Sequence, residues 1–213
     1  MNFGILSARF IAATRAMFAV GAILILMQPA AAAGDAEAGA QKAGTCAACH
    51  GMDGNSVNPQ WPSLAGQNAS YIVNTLQAFK DGTRSDVLMS AQAAALSEQD
   101  MADLAAHFEA QVATRRTANP DLARLGEKVY RGGNKETSVS ACIACHGPTG
   151  QGNGPAAYPA ISGQHAAYTA KQLNDYKSGA RTSDGDARIM RNITERLGDD
   201  EIKAVSAYMQ GLH

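Results

Sequence analysis

No stretch of this chain is apolar for long enough to cross a membrane. The longest candidate, residues 16–27, holds twelve residues, whereas a spanning helix needs roughly 20. Positive charge is not in excess either. The 18 Lys and Arg stand against 19 Asp and Glu, which argues against a nucleic-acid partner, whose phosphates would have to be neutralised. No segment shows the alternation of apolar and polar residues that marks a half-buried strand. Cysteine is scarce, four residues in all, too few and too clustered for a disulfide framework.

Those four cysteines form two copies of one pentapeptide, CAACH at residues 46–50 and CIACH at residues 142–146. A zinc ribbon would bring its two CxxC pairs within about 15–20 residues of each other, but 92 residues separate Cys49 from Cys142. A redox dithiol of the thioredoxin kind expects a βαβ context and needs no histidine after its second cysteine. A simple disulfide in each pair leaves His50 and His146 unexplained. C-x-x-C-H is the pattern of covalent haem attachment. Two thiols add to the vinyl groups of one haem, and the adjacent imidazole meets the iron. The chain is therefore expected to carry two covalently attached haem c groups, through Cys46, Cys49 and His50 and through Cys142, Cys145 and His146.

Residues 1–33 read as a secretory signal. Arg9 and Arg15 precede the apolar run, and small residues follow it. Cleavage is expected after Ala33. Removal of this segment leaves 180 residues with 16 basic groups against 19 acidic ones.

The remainder is a tandem repeat. Pro62, Leu64, Gly66, Gln67, Tyr71, Leu76, Phe79, Gly82 and Arg84 match, 97 residues later, Pro159, Ile161, Gly163, Gln164, Tyr168, Leu173, Tyr176, Gly179 and Arg181. Beyond Arg84 the offset becomes 101, and Met89, Leu96 and Leu104 align with Met190, Leu197 and Val205. The polar segment 112–120 ends in a proline and divides the copies. The expected organisation is a signal at 1–33, a first domain at 34–113, a linker at 114–120 and a second domain at 121–213. Domains this small have thin apolar cores of their own, so a buried haem would supply much of each.

The local patterns are helical, and the expected fold class is all-α. Asp35 and Asp121 are candidate caps for opening helices, residues 68–80 and 166–177 read as central helices, and Ser97 with Asp100 forms a capping box for a closing one. Met101, Leu104, Ala105 and Phe108 recur at helical spacing, as do Ile202, Val205, Ser206 and Met209. Gly39 and Gly126 sit inside the opening helices, where a missing side chain lets another backbone approach. Three histidines outside the motifs, His107, His165 and His213, read as surface residues.

A signal, then CxxCH, P-x-[LI]-x-G-Q, a central helix, a methionine and a closing helix, all repeated, resembles the two-haem cytochromes c of the c4 type. The resemblance covers residues 34–213. It implies two tandem class I cytochrome c domains, packed about a pseudo-two-fold axis and exported before haem attachment. Carried over, it makes His50 and Met89 the axial iron ligands of one haem, and His146 and Met190 those of the other. The repeat singles out the same two methionines, 39 residues beyond His50 and 44 beyond His146, each in a loop that wraps its haem. Pro62 and Pro159 match the prolines whose carbonyls accept a hydrogen bond from the ligating histidine. Tyr71, Tyr168, Arg84 and Arg181 are candidates for contact with the haem propionates.

A His/Met haem has no vacant position for a substrate, and its thioether sulfur raises the reduction potential, so the expected role is one-electron outer-sphere transfer. The resemblance implies a periplasmic carrier in a respiratory chain, with a quinol-oxidising complex as donor and a terminal oxidase or reductase as acceptor. Loose membrane association stays open. The alternatives are an electron-delivering subunit of a dehydrogenase or oxidase complex and a dihaem peroxidase-like enzyme. Charge separates the two halves. Residues 34–113 hold three basic groups against nine acidic, residues 121–213 eleven against ten, a dipole able to orient the chain towards different partners.

Overall fold

Asp35 opens the first helix by accepting hydrogen bonds from the backbone N–H groups of Glu37 and Ala38. The computed structural model describes residues 33–213; apart from Ala33, the expected signal segment lies outside the described residues. In order, the helices are α1 (Ala36–Lys42), α2 (Gly44–His50), α3 (Ala69–Asp81), α4 (Val87–Ala94), α5 (Glu98–Glu109), α6 (Pro120–Gly132), α7 (Ile143–His146), α8 (Ala166–Ser178), α9 (Ile189–Thr194) and α10 (Asp199–Gln210). Among the described residues there is no strand, only isolated bridges at Asn134–Val139 and Asn153–Tyr158. None of these helices is long and apolar enough to cross a membrane.

The repeat in sequence becomes a repeat in packing. Within each half the opening helix crosses the closing helix, α1 on α5 and α6 on α10, and the central helix packs beside the closing one. The crossings are close because of glycine. A β-carbon on Gly39 would lie 2.1 Å from the Asp103 carbonyl oxygen, and one on Gly126 would lie 2.2 Å from that of Ala204.

Each half has its own core. Ile72, Leu76, Met101, Leu104 and Phe108 cluster in the first, with Cys46 and Met89 packed against them. Val129, Tyr130, Leu173, Ile202, Val205 and Met209 cluster in the second, with Cys142 and Met190. Met101 and Met209 are buried in these cores, as their helical spacing requires.

Capping follows the sequence closely at α5, where Ser97 and Asp100 form the reciprocal box. It departs at α6. Asp121 is not the cap there; Asn119 is, its side chain accepting from the Asp121 N–H at 2.9 Å. Pro120 occupies the first helical position, where its missing N–H costs nothing and its fixed φ suits the turn. The central helices α3 and α8 have no cap of their own. Glu109 and Gln210, at equivalent ends of the closing helices, accept instead from the N–H groups of Ala69 and Ala166, at 2.8 and 2.9 Å. The segments expected as loops around Met89 and Met190 contain the short helices α4 and α9. Asp86 starts α4 by accepting from the N–H groups of Leu88 and Met89, both at 3.0 Å.

Asp103, buried on α5, ties α1 down. It accepts from the Asp35 N–H, from Lys42 Nζ at 2.7 Å and from Gln99. These donors, the Asp35 N–H first and Lys42 next, hold its carboxyl down at about 2, against an ordinary value of 3.8.

Replacing Gly126 with Ala is expected to destabilise the holoprotein by about 1–3 kcal/mol in denaturant unfolding, because the overlap forces a packed crossing apart. The helix propensity gained by Ala, about 1 kcal/mol, does not offset it. A folded-state value below the unfolded one means that Asp103 contributes stability above pH 4, lost as pH falls towards 2. Asp103→Asn should flatten the decline of thermal stability across that window.

Candidate haem-binding sites

The first CxxCH motif lies along α2, so Cys46, Cys49 and His50 fall on one helical turn and stay close together. In the second half Cys142 caps the single turn of α7, which carries Cys145 and His146. All four cysteines are half-buried, and none of them is paired in a disulfide. Burial pushes the Cys46 thiol up and that of Cys142 up to about 11.

Both histidines are buried, at 6% and 8% exposure. His50 donates from Nδ1 to the Pro62 carbonyl at 2.8 Å, and His146 does so to the Pro159 carbonyl at 3.0 Å. This bond settles the tautomer: with the proton on Nδ1, Nε2 is left with a free lone pair. Burial lowers both imidazoles below their ordinary value, the hydrogen bond opposing it only in part. Each ring is therefore neutral near pH 7 and able to ligate.

The prolines are held in place from two directions. The N–H groups of Leu64 and Ala65 donate to the Gly54 carbonyl, and those of Ile161 and Ser162 donate to the Gly150 carbonyl. One or two residues on, Gly66 donates to the Phe108 carbonyl and Gly163 to that of Met209. The closing helices thereby position the carbonyls that orient the histidines. Met89 on α4 and Met190 on α9, both partly buried, pack against the same cores as Cys46 and Cys142. Met52, by contrast, is 86% exposed.

Two cations are buried where the halves meet. Arg84 and Arg181 are 7% and 5% exposed, and neither has a carboxylate partner among the described residues. Arg84 donates to the Tyr168 hydroxyl at 3.0 Å and to Gln172, and Arg181 donates to the Tyr71 hydroxyl at 2.9 Å and to Gln172. Their guanidinium groups also lie over the rings of Phe79 and Tyr176, each 4.5 Å from the centroid. Buried charge without a counter-charge is costly. Burial pushes the Tyr71 phenol up, and the charges of Arg181 and Arg84 outweigh it, bringing it down to about 8. A group carrying carboxylates, as haem does in its propionates, fits this surplus of positive charge. Thiol pairs, neutral imidazoles, thioethers and buried cations make a donor set that suits haem in both halves.

Comparison with known proteins agrees. The Cytochrome c family model matches twice, at residues 36–110 and 123–213. The chain belongs to the cytochrome c family. It is 50% identical over 191 residues to cytochrome c4 of Azotobacter vinelandii, covering 85% of this chain and 91% of that one. The structure of reduced recombinant cytochrome c4 from Pseudomonas stutzeri superposes with a TM-score of 0.83 at 47% identity, covering 85% of this chain and all of that one. A protein named thiosulfate dehydrogenase electron acceptor, from Stutzerimonas stutzeri, is 37% identical over 89% of this chain and 90% of its own length. The chain is accordingly a dihaem cytochrome of the c4 type, two tandem cytochrome c domains with two covalently bound haem c groups. Its relatives are electron-transfer proteins, and it is an electron carrier rather than an enzyme.

The cytochrome halves meet through side chains whose partners are reciprocal. Gln67 donates to the Ala160 carbonyl and accepts from the Ala160 N–H, both at 2.8 Å. Its repeat mate Gln164 makes the same pair of bonds to Ser63, at 2.9 and 3.0 Å. The Arg84–Tyr168 and Arg181–Tyr71 bonds repeat this reciprocity. Residue i reaching j' while i' reaches j is what a two-fold axis produces. The role of the two glutamines was not read from sequence, although their recurrence at one repeat position was the available signal.

One expectation fails here. His165 is not a surface residue: it is 8% exposed, with Nε2 2.8 Å from the Ser56 carbonyl oxygen of the other half. Its repeat mate Asn68 also reaches across, donating to the Tyr158 carbonyl, so the position is claimed by the interface in both copies. Arg116, between the halves, binds the Ser56 carbonyl and the Ser63 hydroxyl.

Gln67→Ala leaves the N–H and carbonyl of Ala160 unpaired in a part-buried interface, at a cost of about 1–3 kcal/mol. Faster amide hydrogen exchange at Ala160, with no change at Gly126 in the distant helix crossing, is the expected signature.

Proposed function

We propose that this cytochrome is a periplasmic carrier that takes single electrons from a respiratory donor, a quinol-oxidising complex, and gives them to a terminal oxidase or reductase. In this reading His50 and Met89 are the axial ligands in the first half, His146 and Met190 those in the second, and Cys46, Cys49, Cys142 and Cys145 form the thioethers. The observation that carries it is the duplicated donor set: in each half a motif cysteine and a methionine pack on one core, and the histidine of the same motif is neutral and bonded through Nδ1. A haem with such ligands supplies a reversible one-electron couple with no open coordination position.

The residues around it keep that couple reversible. The proline carbonyls lock the imidazoles in one orientation and raise their basicity. The apolar cores exclude water from the ligand side, and Arg84 and Arg181 offset negative charge where the halves meet. No bond is made or broken, and no proton need move. The domain limits that suit this reading are 34–113 and 121–213 with a linker at 114–120. Export by a signal cleaved after Ala33 would place the protein in the periplasm, where loose membrane association is compatible with its surface.

A second reading, an electron-accepting partner of a dehydrogenase complex, is favoured by the relative from Stutzerimonas stutzeri named as a thiosulfate dehydrogenase electron acceptor. Isolation of the chain in a stable complex with a dehydrogenase would select it.

A spectroscopic redox titration of the holoprotein tests the ligand assignment, with two His/Met low-spin haems as the expected result. Met89→Ala is expected to open one haem per chain to carbon monoxide or cyanide and to lower one of the two potentials, leaving the other unchanged. Rapid binding of these ligands by the unaltered protein would support a peroxidase-like enzyme instead.

A further inference from the structure

Four residues lie between Arg84 and Met89, but eight lie between Arg181 and Met190. The extra four account for the change of repeat offset, and they give the second methionine segment a support that the first lacks. In the first half α4 starts on Asp86, an exposed side chain that among the described residues makes no ion pair, and Ser90 follows Met89. In the second half Arg191 follows Met190, and the longer loop brings Asp184 back to it. Asp184 Oδ2 accepts from the Arg191 backbone N–H at 2.9 Å, and its Oδ1 accepts from Arg191 Nε at 2.7 Å. The far end of the same guanidinium donates to the Gly185 carbonyl at 2.6 Å.

Both side chains are shielded, Asp184 at 5% exposure and Arg191 at 14%. An ion pair so far out of water is screened little by salt, and loss of either member leaves the other buried without a counter-charge. Thr194, wholly buried, adds a second hold by donating from its hydroxyl to the Met190 carbonyl at 2.8 Å. Its repeat mate Ala93 has no hydroxyl to offer. Met190 is thus gripped on both sides of its own peptide, through its carbonyl and through the N–H of the next residue. Met89 has one such bond, from its N–H to the exposed Asp86 at 3.0 Å.

We propose that the Asp184–Arg191 pair is a latch that positions Met190 and holds it against displacement, so that the second half keeps its methionine where the first half gives up Met89. Both are positioning residues, acting through the backbone on either side of the ligand. A thioether is a neutral, soft donor with no charge to hold it at a metal, so its retention depends on the segment that carries it staying in place. The latch supplies that restraint in one half only. This assignment rests on the reading of Met89 and Met190 as axial ligands.

The test uses the ferric holoprotein and cyanide, which occupies the methionine's position only once the sulfur has left. Met89→Ala leaves Met190 as the one methionine ligand and Met190→Ala leaves Met89, so the absorbance band of a methionine–iron bond reads one half at a time. After mixing with cyanide, the band should disappear about tenfold or more slowly for Met190 than for Met89, the weight of a charge-assisted hydrogen bond. That comparison needs no change at the latch. Asp184→Asn and Arg191→Gln, each placed in the Met89→Ala protein, should speed the loss of Met190 by about tenfold. Placed in the Met190→Ala protein, they should leave the loss of Met89 as it was. Asp199→Asn, which removes an exposed ion pair with Lys177 in the same half, should change neither rate. Equal rates in the two halves, or a Met190 rate that neither latch variant moves, overturns the latch. Faster loss in both halves would make the pair a general support of the fold and also overturn it. If neither single-methionine protein shows a methionine–iron band, the ligand reading itself fails, an outcome separate from the others.

Discussion

The hydrogen bond from each buried histidine to a proline carbonyl is the constraint around which this molecule is built. It demands a carbonyl at a fixed place in the plane of the ring, beside Nδ1. That place is set by a loop anchored on Gly54 or Gly150, and the loop is tied to the closing helix through Gly66 or Gly163. The closing helix can lie where it does only because Gly39 and Gly126 let the opening helix cross it in backbone contact. Each ring orientation therefore depends, through three linked contacts, on one missing side chain. The same dependence runs through both halves, each with its own glycine crossing and proline carbonyl.

The interface between the halves follows a different logic. Its core is polar: two buried guanidinium groups, two tyrosine hydroxyls and the shared carboxamide of Gln172, with no carboxylate bonded to either guanidinium among the described residues. Burial of two cations is costly without negative charge nearby, and in the proposed reading haem propionates would supply it. The halves are thus joined through a cluster that carries a surplus of positive charge. Strict symmetry breaks where function allows it, at Asn68 and His165 inside the interface and at Val87 and Arg188 on the outer surface. The carrier keeps one chemistry and presents two faces.

Much of the fold was legible in the chain because its signals are local. A capping box spans four residues, a helical stripe repeats every turn, and a glycine inside a helix marks a close crossing. CxxCH needs five residues to declare itself. Misreadings arose where neighbours in sequence competed or where the partner lay far away. Asn119 took the cap expected of Asp121 because Pro120 suits the first helical position so well. The methionine segments read as loops, but Asp86 supplies enough capping to turn one of them into a helix. His165 looked like a polar residue at a helix start; the residue that buries it, Ser56, is 109 positions away.

Sequence by itself determined the cofactor, its number and the helical class, since these depend on residue types at short spacing and on a repeat that can be counted. It also pointed to the methionines, through their shared place in the repeat. Tertiary structure alone decided which nitrogen of each histidine is free, because that turns on a carbonyl 12 or 13 residues away. Only there did the arginines become buried cations lacking acids and the glutamines become reciprocal clasps. Burial and charge balance are properties of surfaces brought together by folding, and no short window of residues contains them.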